Sequence, residues 1–269
     1  MRPKTRERVE PGANAMNIAA AVDPSQAAPL GAPRARVGLI IPSVNTYSEP
    51  QFNHFAPAGL GIHVARARVA GAWKRPLPEM KDEIATSAKL LSDCHPDVIV
   101  FHCTDTSMTQ GPQGEGRILD IVKEATGIDA MATSRLVLEA LQTLGMKKLV
   151  LLTPYKSNKA VIDYLTAAGL SVVRDVALAL QPSEFGGVTP GEWAKLAKDN
   201  DRPDADGIFL SCTNTRQIEA IADIERMLGK PVVNSNQAVL WCCVKRLRAT
   251  LSPLQPMPQL GRLMQSLNA

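Results

Sequence analysis

Five cysteines are spread through the 269 residues, and two of them occupy equivalent settings. Cys103 follows the apolar run Val98-Ile99-Val100-Phe101, one residue after His102, and Cys212 follows Ile208-Phe209-Leu210-Ser211. Each is trailed by small polar residues, Thr104-Asp105-Thr106-Ser107 in one stretch and Thr213-Asn214-Thr215 in the other. A buried strand that ends on a thiol and then opens a helix delivers sulfur where open α/β sheets bind ligands. A thiolate is a nucleophile and a base, yet a free thiol with a pKa near ~8.5 is only a few per cent ionised at neutral pH. Amides converging at a helix N-terminus favour the anion, so each turn is expected to lower the pKa of its own cysteine. The same amides, with the side chains of Thr104, Ser107, Thr213 and Asn214, can hold a carboxylate. Two such turns face to face suit a small dicarboxylate.

The remaining chemistry-bearing residues are weighed against plainer roles. Ser43-Val44-Asn45-Thr46 is a loop rich in side-chain donors, in which Asn45 or Thr46 can cap a helix and Asn45 can equally contact a ligand. Tyr155 sits at the matching loop later in the chain, as a phenolic donor or an exposed residue. His102 precedes Cys103, so strand alternation points it away from the thiol's side and into a structural role. Cys94, Cys242 and Cys243 read as small buried hydrophobes. Gly111-Pro112-Gln113-Gly114-Glu115-Gly116 matches neither phosphate-binding glycine pattern. No CxxC pair occurs and the four histidines lack metal-ligand spacing, so no disulfide framework and no metal are expected, and a reducing cytoplasm is. A net charge of +4 with 4% aromatic residues and no basic stripe argues against nucleic acid. No apolar run approaches the ~18 residues that span a bilayer, so no membrane association is expected.

The elements that must position the thiols repeat. Arg36 to Ile41, closed by Pro42, reads as a strand, and Lys148 to Thr153, closed by Pro154, echoes it. Gly61-Ile62-His63-Val64 returns as Gly169-Leu170-Ser171-Val172. These landmarks recur in the same order at nearly the spacing that separates Cys103 from Cys212, which argues for a duplicated unit. Strands alternating with helical segments imply parallel βα units. Helices are expected over residues 78–91, 112–125 (stopped by Gly127), 191–198 and 234–250, with Thr133 or Ser134 capping another that runs to Leu144. The expected fold is α/β, with two pseudo-symmetric domains, each a four-stranded parallel sheet flanked by helices, and a site in the cleft between them. The expected boundaries are a disordered tail over 1–33, a first domain over 34–133 joined by a helix at about 236–250, a second over 134–235, and a tail over 251–269.

This pattern resembles the aspartate/glutamate racemase superfamily. Gly38-Leu39-Ile40-Ile41-Pro42-Ser43-Val44-Asn45-Thr46 with Glu49-Pro50, Ser211-Cys212-Thr213-Asn214 and Ser235-Asn236-Gln237-Ala238 are similar to motifs of its maleate cis-trans isomerase and arylmalonate decarboxylase branch, across residues 36–250. The resemblance implies a cofactor-independent reaction on a small carboxylic acid. Cys103 would add as thiolate to an alkene carbon, and Cys212 would be the acid/base. Asn45, Ser43, Thr104, Asp105, Tyr155, Thr213 and Asn214 would bind substrate. Where isomerases of the branch carry Cys-Thr-Ser-Gly-Ser, this chain has Cys103-Thr104-Asp105-Thr106-Ser107, which sets a carboxylate beside the first thiol. The expected activity is isomerisation of maleate to fumarate. A two-cysteine racemase, a decarboxylase using Cys212 alone and a duplicated binding protein are the alternatives, and a homodimer or higher homo-oligomer is expected.

Overall fold

Residues whose neighbours cover them on both faces form continuous apolar strands rather than alternating ones. Such runs form the central strands of two four-stranded parallel sheets among residues 31–268, the part of the chain described by the computed structural model. The first holds β1 (Ala35–Pro42), β2 (Leu60–Ala67), β3 (Val98–Phe101) and β4 (Ala130–Ala132), in the order β2-β1-β3-β4. The second holds β5 (Lys148–Thr153), β6 (Ser171–Ala177), β7 (Gly207–Leu210) and β8 (Val232–Asn234), in the order β6-β5-β7-β8. The identical order is the duplication made visible, and the chain is α/β as expected. The tail expected over 1–33 lies outside the described residues except for its last three.

Helices fill the crossovers. The first half contributes α1 (Ser48–Phe55), α2 (Leu77–Ser92), α3 (Thr104–Thr109), α4 (Gly111–Thr126) and α5 (Thr133–Thr143). The second contributes α6 (Lys159–Ala167), α7 (Pro190–Asn200), α8 (Ile221–Leu228) and α9 (Ser235–Arg246), followed by the short α10 (Arg248–Leu251) and α11 (Gly261–Gln265). On α2, Met80, Ile84, Ala88 and Leu91 are buried, the stripe that their spacing dictates. Gly127 ends α4 with a φ of 72°, a conformation that only glycine adopts without cost. Asn234 caps α9, accepting from the amides of Asn236 and Gln237, while Gln237 reaches back to the Asn234 amide.

Three expectations need correction. Thr133 and Ser134 do not cap α5: its cap is Ala132, and their hydroxyls serve His102, Phe101 and Glu115 instead. Helix α6 was not anticipated, although Val161, Tyr164 and Leu165 form a buried stripe at helical spacing. Of the tail expected over 251–269, the described residues 251–268 do not trail away. Leu251, Leu260, Leu263, Met264 and Leu267 are buried in the same apolar cluster as the second sheet, and Glu225 accepts from the amides of both Val232 and Arg262. That cluster also includes Val37, Leu39 and Ile41 of β1, so the two sheets share one core. Helix α9 lies along α5 and touches α1.

Candidate active site

In an open parallel sheet, neighbouring strands whose crossovers depart in opposite directions leave a crevice at their carboxyl ends. Here those pairs are β1/β3 and β5/β7. The loops that follow them carry Pro42 to Thr46, Cys103, Tyr155 and Cys212. They meet around a cavity of about 110 Å³, lined by Cys103, Thr104 and Asp105 with Asn45 from the first half and by Tyr155, Cys212, Thr213 and Asn214 from the second. Pro42, Val44, Ala70, Gly71, Pro182 and Phe185 complete its walls. The cavity adjoins a wider chamber of about 1280 Å³, sharing Val44, Asp105, Tyr155, Phe185 and Asn214 with it. The inner space falls well below the ~300–1,000 Å³ of drug-sized sites and suits a molecule of few atoms.

Both thiols are free and buried. The Cys103 thiol donates to Thr106 Oγ1 at 3.2 Å, and that hydroxyl donates to the Val69 carbonyl at 2.8 Å. Burial pushes the Cys103 pKa up to about 11; the Asp105 carboxylate adds to the rise, while Thr106 and Lys74 oppose it. Burial likewise pushes Cys212 up to about 12, against the Asn214 amide, which donates to its sulfur at 3.3 Å, and the Tyr155 hydroxyl. The expectation that the turn amides lower these pKa values is therefore corrected. Loss of water outweighs one or two amides, and α3 is only six residues long. Tyr155 is no surface residue: it lines the cavity with Cys212, and burial holds its hydroxyl protonated.

Several expected ligand contacts prove to be joints of the scaffold. Asn45 Oδ1 accepts from the amides of Tyr47 and Ser48 at 3.0 and 2.9 Å, which fixes the start of α1. Its Nδ2 donates to Ser48 Oγ at 2.9 Å and to Thr213 Oγ1 at 3.1 Å, bridging the two halves. Asn214 answers from the other side, accepting from the Thr46 amide at 2.8 Å. Thr104 Oγ1 donates to Ser235 Oγ at 2.8 Å, and the Cys212 amide donates to that same oxygen at 3.3 Å, so the two thiol turns are tied through one serine. Ser43 does not reach the cavity; its backbone bonds to Ala67 and Arg66. Ser107 does not either, because its hydroxyl donates to the Cys103 carbonyl at 2.8 Å.

His102 is wholly buried beside Phe52, away from the cavity. Asn236 Nδ2 donates to Gln51 and Thr213, so its Oδ1, 2.9 Å from His102 Nε2, must accept, which assigns the imidazole proton to Nε2. Burial lowers the His102 pKa to about 4. Sequence reasoning did not find the cover segments around Ala70–Lys74 and Pro182–Gly187. The signals present were Gly71, at a φ of 62°, and the Gly186-Gly187 pair. Tyr47 lies against Gly186 so closely that a Cβ there would clash, and its hydroxyl donates to the Gly186 carbonyl at 3.2 Å.

Among the described residues no helix is long and apolar enough to cross a membrane. The sequence model of the arylmalonate decarboxylase family matches residues 37–256. The chain is 28% identical over 229 residues to maleate isomerase of Geobacillus stearothermophilus, covering 79% of this chain and 91% of that one. It is 28% identical over 172 residues to arylmalonate decarboxylase of Bordetella bronchiseptica, covering 61% and 70%. In three dimensions it resembles a cysteine-to-serine variant of Nocardia farcinica maleate cis-trans isomerase with a covalently bound succinylcysteine intermediate. The TM-score is 0.76 at 23% identity, over 86% of this chain and 98% of that one.

Proposed function

Because the chain belongs to the arylmalonate decarboxylase family, on the maleate isomerase and arylmalonate decarboxylase branch, we propose that it is a cis-trans isomerase of a small unsaturated dicarboxylate, converting maleate to fumarate. The observation that carries this reading is that Cys103 and Cys212, one from each half, line one small cavity. Rotation about a C=C bond is slow until covalent addition makes it single. Cys103, having lost its proton to solvent, adds its sulfur to one alkene carbon while the Cys212 thiol protonates the other. The new single bond turns. Cys212, now a thiolate, takes a proton back, the C–S bond breaks with its electron pair returning to Cys103, and the trans isomer leaves. Tyr155 and the Asn214 amide both face the Cys212 sulfur and steady its anion between these two steps. Thr104, Asp105, Thr213 and Asn214 border the space that the substrate fills.

Proton NMR of the protein with maleate tests the reading. Fumarate is expected to appear with the wild type and to vanish, by roughly a thousandfold or more in rate, in Cys103→Ala. An arylmalonate decarboxylase, favoured by the family match and the Bordetella relative, needs only Cys212 and would keep its activity in that variant. Decarboxylation of an arylmalonate that survives Cys103→Ala, without fumarate from the wild type, would replace the isomerase reading.

A further inference from the structure

Asp105 borders both the inner cavity and the outer chamber. Its Oδ2 accepts from Lys74 Nζ at 2.7 Å, and Lys74 also donates to Thr109 Oγ1 at 2.9 Å. The Thr109 hydroxyl in turn donates to the Asp105 main-chain carbonyl at 2.7 Å. Among the described residues, the one donor within reach of Asp105 Oδ1 is that same hydroxyl, 3.5 Å away with its proton already committed. Oδ1 therefore keeps its lone pairs, and at the edge of the cavity it offers an acceptor to an N–H or O–H of the ligand.

Three kinds of group could meet that oxygen. A second carboxylate brings only acceptors against an acceptor, in a space already shared by two thiols that must pass through anions. An ammonium satisfies Oδ1, but it sets a second cation beside that of Lys74. A carboxamide brings two N–H donors and no charge, on the same planar frame as a carboxylate. The remaining carboxylate of such a substrate is left to the opposite wall, where Thr213 and the Asn214 side chain stand.

Resting on the isomerase reading above, we infer that the preferred substrate is the half-amide of a cis-enedioic acid, its carboxamide N–H donating to Asp105 Oδ1, rather than the diacid. Asp105 is then a specificity-determining residue, and its pairing with Lys74 occupies Oδ2 and leaves Oδ1 to the ligand.

The test compares the monoamide of cis-butenedioic acid with the diacid, by proton NMR of the alkene signals, on the full-length wild type, Asp105→Asn and Asp105→Ser. The wild type is expected to favour the half-amide in kcat/KM by roughly tenfold or more, a partly exposed version of the discrimination that an unpaired polar group imposes. Both variants are expected to erase or invert that ratio, chiefly by gaining on the diacid. A purely structural Asp105 would slow both substrates alike and leave the ratio unchanged. That result, or a wild type that prefers the diacid, overturns the inference and leaves the isomerase standing. If Asp105→Asn does not fold, Asp105→Ser and the wild-type ratio still decide. A wild type that isomerises neither compound removes the isomerase reading and this one with it.

Discussion

Cys103 and Cys212 face a space with little room for water, so each sulfur meets the cost of an anion without a hydration shell. Burial raises Cys103 to about 11 and Cys212 to about 12. The proposed addition needs Cys103 as thiolate and Cys212 as thiol. Raising the pH supplies the first state without removing the second until the higher value is passed. Log kcat/KM should therefore climb with a slope of about one from neutral pH and level only near about 11. A plateau beginning near neutrality would mean that an unrecognised base takes the Cys103 proton. The high pKa has a compensation, since a more basic thiolate is intrinsically the stronger nucleophile.

The two cover segments act at the scale of elements. Tyr47, at the start of α1, bonds to the Gly186 carbonyl and leaves no room for a side chain there. Gly186→Ala forces the ring aside and frees the Pro182–Gly187 segment, which walls both chambers. The expected effect is a KM raised by roughly tenfold with a smaller change in kcat, because the thiol turns are untouched. Steady-state kinetics with unchanged parameters would show that this segment does not hold the substrate. The thiol turns themselves were legible in the sequence. An apolar run, a cysteine and a set of small polar residues occur twice at the spacing of the repeat, and the helix opening at Asn234 was equally plain. The cover segments were not, since Ala70–Lys74 and Pro182–Gly187 carry no periodic pattern and take their positions from Tyr47 and Thr109 across the fold. Asn45 left cap and ligand contact open in the sequence, and the joint between the halves, through Thr213, shows how its amide is spent. The direction of the thiol pKa shifts was misjudged because local amides are visible in a sequence and burial is not.

For the molecule as a whole, buried neutral groups set the pH range of stability. His102 is held neutral with a pKa lowered to about 4, against an ordinary ~6.5. The unfolded chain binds the proton that the folded one refuses, so stability falls as pH drops from about 6.5 toward 4. Cys103, Cys212 and Cys243 are held protonated, with values raised to about 11, 12 and 12, and Cys242 is raised further. The unfolded chain releases those protons first, so stability also falls as pH rises above about 8.5. Thermal melts should show a maximum Tm between these limits. Cys243→Ala should lose less Tm than the wild type between about pH 8 and about pH 10.5. An alkaline limb identical in the two proteins would assign that loss to other groups. The two sheets share a core and donate one thiol each to a common cavity, and the central claim is that both sulfurs act on one ligand. Its most direct test is peptide mass mapping of Cys212→Ser after incubation with maleate at alkaline pH. A single succinyl group on Cys103 is the result expected. No adduct on Cys103 while the wild type still forms fumarate, or an adduct only on Cys94, Cys242 or Cys243, would contradict it.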